Sequence, residues 1–250
     1  MRVGLIGAEL GYSYSKVIHE KLANYTYDLI PLNKEEFEEF MDNRSFSAIN
    51  VTIPYKKAVL PYLDEISKEA KAIGAVNAIV NRNGKLYGYN TDYDGFRYAL
   101  IHNNIEVKNE KVMILGFGGA SLAVIKVIED LLAKEVVIVN RTIKDNAISY
   151  EEAKEKHKDV TILINTTSVG TSPNIDEAPI DLSGFHNLKA VVDIIYNPKV
   201  TKLLSQAKDL GIQTVNGLDM LVAQAKYAAE YFLNTSIPEE RIEEIKKELE

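Results

Sequence analysis

The chain has 250 residues, a formal net charge of -7 and no cysteine, and its pI is close to 5.3. This length is sufficient for one large domain or two small ones. The acidic balance argues against nucleic acid as a partner, because phosphate binding needs a basic face. Without cysteine, disulfides and thiolate metal sites are excluded. The four histidines lack the spacing of metal ligands, so we expect ordinary polar histidines and no metal site.

The start of the chain and its apolar segments give no sign of export or membrane insertion. The sequence begins with a strand pattern at 2–7 and lacks the basic segment and apolar core of a signal peptide. No apolar run approaches the length of a membrane span. We therefore expect a cytoplasmic α/β protein without a membrane partner.

The first hundred residues mix strand and helix patterns. The predicted strands are 3–7, 27–32, 48–52, 76–81 and 85–89. The predicted helices are 16–23, 34–41, 92–103 and two short pieces at 56–62 and 67–73. The last two strands flank Arg82-Asn-Gly84, an Asn-Gly pair typical of a hairpin turn. Thr91 is the expected cap of the helix that follows.

After residue 103, strands and helices alternate as in a doubly wound parallel sheet. The predicted strands are 111–115, 135–140, 160–165, 190–196 and 212–215. The predicted helices are 119–133, 150–158, 201–210, 218–234 and 239–249. The second half is thus predicted to be a complete nucleotide-binding module, and the first half has too few strands to be its copy. We expect the first half to bind the substrate with help from the terminal helices, in a cleft between two units.

The strand at 111–115 runs directly into Gly116-Phe-Gly-Gly-Ala-Ser121, where a helix pattern begins. Gly116 permits a sharp turn, Gly118 lets a ligand approach the backbone, and the helix start favours a pyrophosphate. Ser121 replaces the third glycine of the dinucleotide fingerprint, and such turns also occur without nucleotides. The pattern nevertheless favours a dinucleotide.

The following strand ends in Val139-Asn-Arg-Thr142. NAD enzymes normally have an acidic residue here, which binds the ribose 2′-hydroxyl. Arg141 and Thr142 suit a 2′-phosphate instead, which favours NADP over NAD. In the alternative interpretation, Arg141 is a solvated loop residue.

Three polar stretches of the first half carry candidates for chemistry. Lys56 is the last residue of Asn50-Val-Thr-Ile-Pro-Tyr-Lys56, which follows a predicted strand at the end where α/β sheets bind ligands. Lys56 could act as a proton donor if burial lowers its pKa. Asp92 would orient this lysine and complete an acid–base pair for carbonyl reduction. The alternatives are a surface lysine and a helix-capping aspartate. Ser13 and Ser15 suit a carboxylate ahead of a helix, although Ser15 equally suits an N-cap.

Together these stretches resemble the shikimate dehydrogenase family over almost the whole chain. The matching segments are Ser13-Tyr-Ser15, Asn50-Val-Thr-Ile-Pro-Tyr-Lys56, Gly74-Ala-Val-Asn77, Gly88-Tyr-Asn-Thr-Asp92, Gly116-Phe-Gly-Gly-Ala120, Asn140-Arg-Thr142 and Gly217-Leu-Asp-Met-Leu-Val-Ala-Gln224. Several motifs in one order are far more specific than any one of them. The resemblance implies reversible NADPH-dependent reduction of 3-dehydroshikimate to shikimate, a step toward chorismate and the aromatic amino acids.

The resemblance also implies a role for each matching position. Lys56 would be the catalytic proton donor and Asp92 its partner. The implied substrate ligands are Ser13, Ser15 and Tyr196 for the carboxylate, with Thr52, Asn77, Asn90 or Thr91, and Gln224 for the ring hydroxyls. The implied NADP ligands are Gly116, Gly118, Gly119 and Ala120 for the pyrophosphate, Asn140, Arg141 and Thr142 for the 2′-phosphate, and Thr166, Ile194, Gly217 and Met220 beside the nicotinamide.

The family fold implies two domains. An N-terminal α/β substrate domain, completed by the C-terminal helices, would comprise residues 1–92 plus 218–250. A Rossmann-like NADP-binding domain would comprise residues 93–217. Relatives suggest a monomer or a homodimer.

Two positions depart from the family pattern. Lys16 stands where the family usually has proline, which bears on how the helix starts. Asp145 stands where a basic residue often occurs, so a weaker preference for NADP is expected. A quinate/shikimate dehydrogenase that uses NAD is therefore an alternative. An alternative of another class is a non-catalytic sensor of shikimate-like ligands or NADP, against which the retention of both Lys56 and Asp92 counts.

Overall fold

The computed structural model describes residues 2–11, 13–143 and 146–249. Asp145, on which the expectation about cofactor preference rests, lies outside the described residues. The chain divides into two compact units, one comprising Met1–Gly95 and Leu221–Glu250, the other Phe96–Met220. None of the described helices combines the length and the apolar character needed to cross a membrane.

The first unit is built on a six-stranded mixed sheet. Its strands are β1 (Val3–Gly7), β2 (Tyr27–Pro31), β3 (Ala48–Val51), β4 (Glu65–Ile66), β5 (Ala78–Arg82) and β6 (Lys85–Tyr89), in the spatial order β2-β1-β3-β5-β6-β4. The strand β1 is parallel to β2 and β3, whereas β5 is antiparallel to both β3 and β6. The described part of this unit thus has more strands than the second, and the expectation of too few was wrong. It differs from the second unit both in strand number and in strand direction, because β5 is antiparallel to its two neighbours.

The helices of the first unit cover both faces of this sheet. They are α1 (Tyr14–Leu22), α2 (Lys34–Asn43), α3 (Lys68–Ile73), α9 (Glu240–Leu249) and the later part of α8 (Leu218–Leu233). Phe37 and Met41 of α2 pack against Ile49 on one face. On the other face, Ala228 and Phe232 of α8 pack against Val3. The C-terminal helices therefore complete the core of a unit that begins at the N-terminus.

Local sequence explains the turn between β5 and β6 and the short segment that precedes β4. The predicted hairpin is confirmed, with Asn83 and Gly84 at φ of 55° and 86° between β5 and β6, as Asn-Gly favours. The predicted helix at 56–62 was wrong, because the segment consists of turns followed by a 3₁₀ turn at Leu60–Tyr62. Pro61 lacks the N–H that a continuous α-helix over 56–62 would use in its interior, whereas a proline in the first turn of the 3₁₀ segment is tolerated.

The second unit is a five-stranded sheet in which all strands are parallel. Its strands are β7 (Lys111–Leu115), β8 (Glu135–Val139), β9 (Ile162–Asn165), β10 (Ala190–Asp193) and β11 (Gln213–Val215), in the order β11-β10-β9-β7-β8. Its helices are α5 (Gly119–Asp130), α6 (Tyr150–Lys156), α7 (Lys202–Asp209) and most of α4 (Thr91–His102). The predicted doubly wound arrangement is confirmed. The strand predicted over 190–196 ends at Asp193, whose carboxylate accepts the backbone N–H of Ile195.

Candidate active site

The centre of the first unit's polar site is a contact between Lys56 and Asp92. Lys56 Nζ donates to Asp92 Oδ2 at 2.5 Å, and the two side chains are 15% and 11% exposed. The neighbouring Lys57 is exposed. Lys56 is therefore a mostly buried ammonium group paired with a carboxylate, and its interpretation as a solvated surface lysine was wrong.

Asn77, which directly precedes β5, holds this pair in place. Its Nδ2 donates to Asp92 Oδ1 at 2.9 Å, and its Oδ1 accepts the backbone N–H of Thr91 at 2.7 Å. Asn77 is 3% exposed, so these bonds are shielded from water. Each oxygen of Asp92 thus has a defined partner, one charged and one neutral.

The cap of α4 differs from the expectation. Asn90 is the capping residue, because its Oδ1 accepts the backbone N–H of Tyr93 at 3.3 Å and its Nδ2 donates to the Ala75 carbonyl at 2.9 Å. Thr91 is instead the first helical residue, fully buried, and its hydroxyl contacts Asn77. The prediction that Thr91 caps the helix was wrong, and so was the alternative that Asp92 does. The role of Thr91 as a substrate ligand stays a prediction.

Ser13 and Ser15 lie at the start of α1. Ser13 is the N-cap and its hydroxyl oxygen accepts the backbone N–H of Ser15 at 3.2 Å, so the alternative of Ser15 as the cap was wrong. Both serines are partly exposed. Lys16 does not disturb this start, since the helix already begins at Tyr14. Its Nζ donates to Glu20 and to the Tyr27 carbonyl, each at 2.7 Å, and so ties α1 to β2.

The other predicted substrate ligands are more scattered. Thr52 follows β3 and is partly exposed, with its methyl group close to Gly7, where an added Cβ would lie 2.6 Å away. Gln224 is partly exposed on α8, and its Nε2 donates to the Leu221 carbonyl at 2.9 Å. Tyr196 is partly exposed and belongs to the second unit. Lys56, Asn77, Thr91 and Asp92, by contrast, form one group of side chains joined by hydrogen bonds.

The second unit has a pocket of about 560 Å³ at the carboxyl ends of its strands. It is lined by Gly116, Phe117, Gly118, Asn140, Arg141, Tyr150, Glu151, Thr166, Thr167, Ser168, Val169, Ala178 and Pro179. The lining includes five of the residues predicted from the sequence to bind a cofactor. Parallel sheets collect ligands at this edge.

The glycine turn has the properties that a dinucleotide requires. Gly116 has a φ of 100°, and a Cβ there would lie 2.8 Å from the Thr166 hydroxyl, so another residue would be strained and crowded. At Gly118 a Cβ would meet nothing within 4 Å, so a side chain would extend into open space beside the pocket. Gly118 is the N-cap of α5 and provides no side-chain cap, and the first turn has no acidic residue. The described residues thus leave room and N–H donors for a pyrophosphate.

Arg141 and its neighbours form the polar end of the same pocket. Arg141 is exposed, and Asn140 Nδ2 donates to the Thr142 carbonyl at 2.9 Å, which stabilises the turn. Tyr150, also in the lining, is partly buried, and this burial raises the pKa of its hydroxyl, so the ring stays neutral. Among the described residues that line the pocket, Arg141 carries a permanent positive charge for an anion, and Glu151 is acidic.

Of the remaining predicted cofactor ligands, Ile194 directly follows β10 and Gly217 lies just after β11. Gly119 and Ala120 form the first turn of α5. Gly217 packs on Ile194 so closely that a Cβ would lie 1.9 Å from the Ile194 carbonyl oxygen. Met220 is 8% exposed. Their contacts with a cofactor stay predictions.

Asp193 is a buried group that was not predicted to have a role. Its Oδ1 accepts from Asn165 Nδ2 at 3.0 Å and from the Ile195 N–H at 3.1 Å, and its Oδ2 accepts from the Thr201 hydroxyl at 2.7 Å. Burial raises the pKa of this carboxyl to about 6, although the three donors oppose the shift. Asp193 thereby joins the ends of β9 and β10 to the start of α7.

Several lining residues of the pocket were also missed. They are Phe117, Tyr150, Glu151, Thr167, Ser168, Val169, Ala178 and Pro179. The run Asn165-Thr-Thr-Ser168, directly after a buried parallel strand, was a usable signal. Thr167 is held there by its hydroxyl, which donates to Asn165 Oδ1 at 2.7 Å.

A doubly wound parallel sheet with a glycine turn and a pocket at its carboxyl edge defines the class of dinucleotide-binding α/β proteins. Residues 5–79 match the family model described as the shikimate dehydrogenase substrate binding domain. The shikimate dehydrogenase (NADP(+)) of Clostridium perfringens is 41% identical over 265 aligned residues, which cover 98% of this chain and 97% of the relative. The chain therefore belongs to the shikimate dehydrogenase family, and the resemblance inferred from its motifs is confirmed.

Solved structures give the same result. A chorismate mutase/shikimate 5-dehydrogenase fusion protein from Clostridium acetobutylicum is similar with a TM-score of 0.94 and 37% identity, over 99% of this chain and 96% of that one. The shikimate 5-dehydrogenase of Thermus thermophilus, solved in complex with NADP(H) and shikimate, is similar with a TM-score of 0.88 and 29% identity, over 99% of each chain.

Proposed function

We propose that this protein catalyses the reversible NADPH-dependent reduction of 3-dehydroshikimate to shikimate, a step toward chorismate and the aromatic amino acids. The observation that carries the proposal is the mostly buried contact between Lys56 and Asp92, in a chain of this family. A purely binding relative could lose such an acid–base pair, so the retention of both residues counts against that alternative. The NADP-dependent relatives, which align with nearly the whole chain, support the cofactor.

Reduction of a carbonyl needs a hydride and a proton. NADPH supplies the hydride when it is bound. Lys56 Nζ carries the proton that the carbonyl oxygen takes up, and in the oxidative direction the same nitrogen accepts the hydroxyl proton. Asp92 holds the ammonium group in place, and Asn77 holds Asp92. This arrangement restricts Lys56 to one position and so lowers the entropic cost of reaching the reactive geometry.

The substrate site is proposed in the first unit. Ser13 and Ser15 bind the substrate carboxylate, which the positive end of the α1 dipole also favours. Tyr196 assists with the carboxylate. The proposed ligands of the ring hydroxyls are Thr52, Asn77, Thr91 and Gln224. Residues 1–92 with 218–250 would form this substrate-binding catalytic domain.

The cofactor site is proposed in residues 93–217, which would form the NADP-binding domain. Gly116, Gly118, Gly119 and Ala120 bind the pyrophosphate through backbone N–H groups at the start of α5. The 2′-phosphate is bound by Arg141 with Asn140 and Thr142, since a guanidinium group matches phosphate oxygens. The proposed neighbours of the nicotinamide are Thr166, Ile194, Gly217 and Met220.

The test is a comparison of four reactions, in which shikimate and quinate are each oxidised with NADP and with NAD. Absorbance of the reduced cofactor gives kcat/KM for each combination. We expect the highest value for shikimate with NADP. Folded protein that binds NADP without any turnover would overturn the proposal in favour of a sensor. A higher value for quinate with NAD would favour the quinate/shikimate dehydrogenase instead.

We further propose that the protein acts in the cytoplasm as a monomer or homodimer, with small molecules rather than nucleic acid or membranes as partners. The net charge of -7 supports the absence of polyanionic partners. Light scattering coupled to size-exclusion chromatography measures the mass of the particle. A mass above that of two chains would contradict the proposed assembly.

A further inference from the structure

Tyr27 is a fully buried tyrosine at the start of β2, and its hydroxyl has a specific partner. The hydroxyl donates to Asn50 Oδ1 at 2.7 Å, on β3. Asn50, which is 5% exposed, uses its Nδ2 to donate to the Asn77 carbonyl oxygen at 3.1 Å. The side chain of Asn77 in turn donates to Asp92. A connected series of contacts therefore leads from Tyr27 to the carboxylate that binds Lys56.

The geometry also determines which way the Asn50 amide faces. Its NH₂ group must face the Asn77 carbonyl, because two acceptor oxygens do not bind each other. Its Oδ1 then faces Tyr27, so the phenol must be the donor. The same carbonyl of Asn77 also accepts the Val51 N–H at 2.8 Å. Asn50 thus strengthens the link between β3 and the segment that carries Asn77.

Tyr27 is also held on its other side by α1, the helix that begins with the two serines. Glu20 Oε1 accepts the Tyr27 N–H at 3.1 Å, and Lys16 Nζ donates to the Tyr27 carbonyl at 2.7 Å. The ring of His19 stacks on the Tyr27 ring, with 4.2 Å between centroids and 9° between planes. Burial lowers the pKa of His19 to about 3, so this stack is uncharged at neutral pH.

We propose that the Tyr27 hydroxyl is a positioning group for the reaction. It orients Asn50, and through Asn50 and Asn77 it positions the pair of Asp92 and Lys56 relative to α1. Without the hydroxyl, Asn50 Oδ1 would lose the 2.7 Å hydrogen bond that fixes its orientation, which favours rearrangement of the amide. The carbonyl of Asn77 would then lose the hydrogen bond from Asn50 Nδ2. The Asn77 side chain that donates to the Asp92 carboxylate would be held less firmly. This inference rests on the proposed function.

The test is Tyr27→Phe, which removes one oxygen and keeps the ring. We expect kcat to fall by roughly three- to tenfold, the factor that corresponds to one neutral hydrogen bond. The KM for NADP should not change, because the proposed cofactor ligands belong to the other unit. A loss of folded protein alone would lower the number of active sites. It would leave both kcat per active site and KM unchanged.

Tyr25→Phe is the matched control. The Tyr25 hydroxyl belongs to the same aromatic cluster, but its partner is His19 Nδ1 at 2.7 Å and not Asn50. We expect this variant to keep the kcat of the unsubstituted protein. An equal loss of kcat in both tyrosine variants, or no loss in Tyr27→Phe, would overturn the inference.

Asn50→Asp provides a second measurement, which also serves if Tyr27→Phe does not fold. The aspartate keeps an acceptor for Tyr27 and loses the donor to the Asn77 carbonyl, so kcat should fall here too. In the double variant the two losses should be less than additive, because both break one series of contacts. Unchanged kcat in Asn50→Asp, or full additivity, would overturn the inference. Absence of turnover in the unsubstituted protein is a different result, and it would overturn the proposed function together with this role of Tyr27.

Discussion

Lys56 and Asp92 lie 36 positions apart in the chain, yet Lys56 Nζ and Asp92 Oδ2 are 2.5 Å apart. Lys56 follows β3, and Asp92 is the second residue of α4. Both side chains are mostly buried, so neither charge is fully solvated. Removing one partner would leave the other as an unpaired and partly desolvated charge. The pair is therefore suited to fixing one ammonium group in one place.

Lys56→Ala should abolish most of the turnover while sparing the cofactor site. Loss of a general acid typically reduces kcat by about 10²- to 10⁴-fold. The Kd for NADP, measured by titration of protein fluorescence or by calorimetry, should stay unchanged. Lys57→Ala is the control, because Lys57 is the adjacent lysine and is exposed. Turnover of the Lys56→Ala variant equal to that of the control would refute the assignment.

Arg141→Gln should weaken NADPH selectively. A charge-assisted hydrogen bond to phosphate contributes about 1.5–3 kcal/mol, so the KM for NADPH should rise by roughly 10- to 100-fold. NADH lacks the 2′-phosphate and serves as the internal control, and its KM should stay constant. Steady-state kinetics with both cofactors measure the ratio. An equal rise for both would show that Arg141 supports the loop and does not bind the phosphate.

Gly118 and Gly217 should respond differently to alanine. At Gly217 the new Cβ meets the Ile194 carbonyl oxygen at 1.9 Å, so the backbone must shift, and the free energy of unfolding should fall by about 1–3 kcal/mol. At Gly118 the Cβ meets nothing within 4 Å, so stability should change little while NADP binding weakens. Urea unfolding and NADP titration of both variants separate the effects. Unchanged NADP affinity in Gly118→Ala would contradict close approach of a ligand to this backbone.

Asp193 should make the protein less stable as the pH rises. Its folded-state pKa is about 6, above the ordinary value of 3.8, so the protonated form favours folding. This stabilisation is complete below about pH 4 and is lost as the pH passes 6, with a total on the order of 3 kcal/mol. Asp193→Asn removes the titration. The difference in unfolding free energy between the two proteins, measured between pH 4 and 7, should therefore depend on pH, and a constant difference would disprove the shift.

The titration of His19 should make the protein less stable as the pH falls, which is the opposite of the effect of Asp193. Burial lowers its pKa from 6.5 to about 3, so the folded state keeps the ring neutral while the unfolded chain takes up a proton. Stability is then fully present above pH 6.5 and is lost as the pH falls toward 3, by up to about 5 kcal/mol. His19→Phe keeps a stacked ring without the titration. Its unfolding free energy should decline less between pH 6.5 and 4 than that of the parent, and parallel curves would contradict the prediction.

Features that depend on adjacent residues were predicted from the sequence, whereas several features that depend on contacts between distant segments were not. The parallel sheet, the glycine turn and the Asn-Gly hairpin were predictable, because each depends on residues adjacent in the chain. The strand β4 was missed, since it has two residues and is defined only by its parallel pairing with β6. The cap of α4 was misassigned because several residues in a row suit a cap, and only the fold shows that Asp92 is engaged elsewhere.

The sequence by itself determined the family, through motifs whose order and spacing are specific, and it identified Lys56, Asp92 and the glycine turn as candidates. Only the tertiary structure decided that Lys56 and Asp92 are in contact, that Asn77 holds them, and that Tyr27 lies at the far end of that series. The physical reason is that propensity and periodicity act over a few residues. Burial and hydrogen bonding between distant segments depend on how strands and helices pack, and that packing holds Lys56 in contact with Asp92.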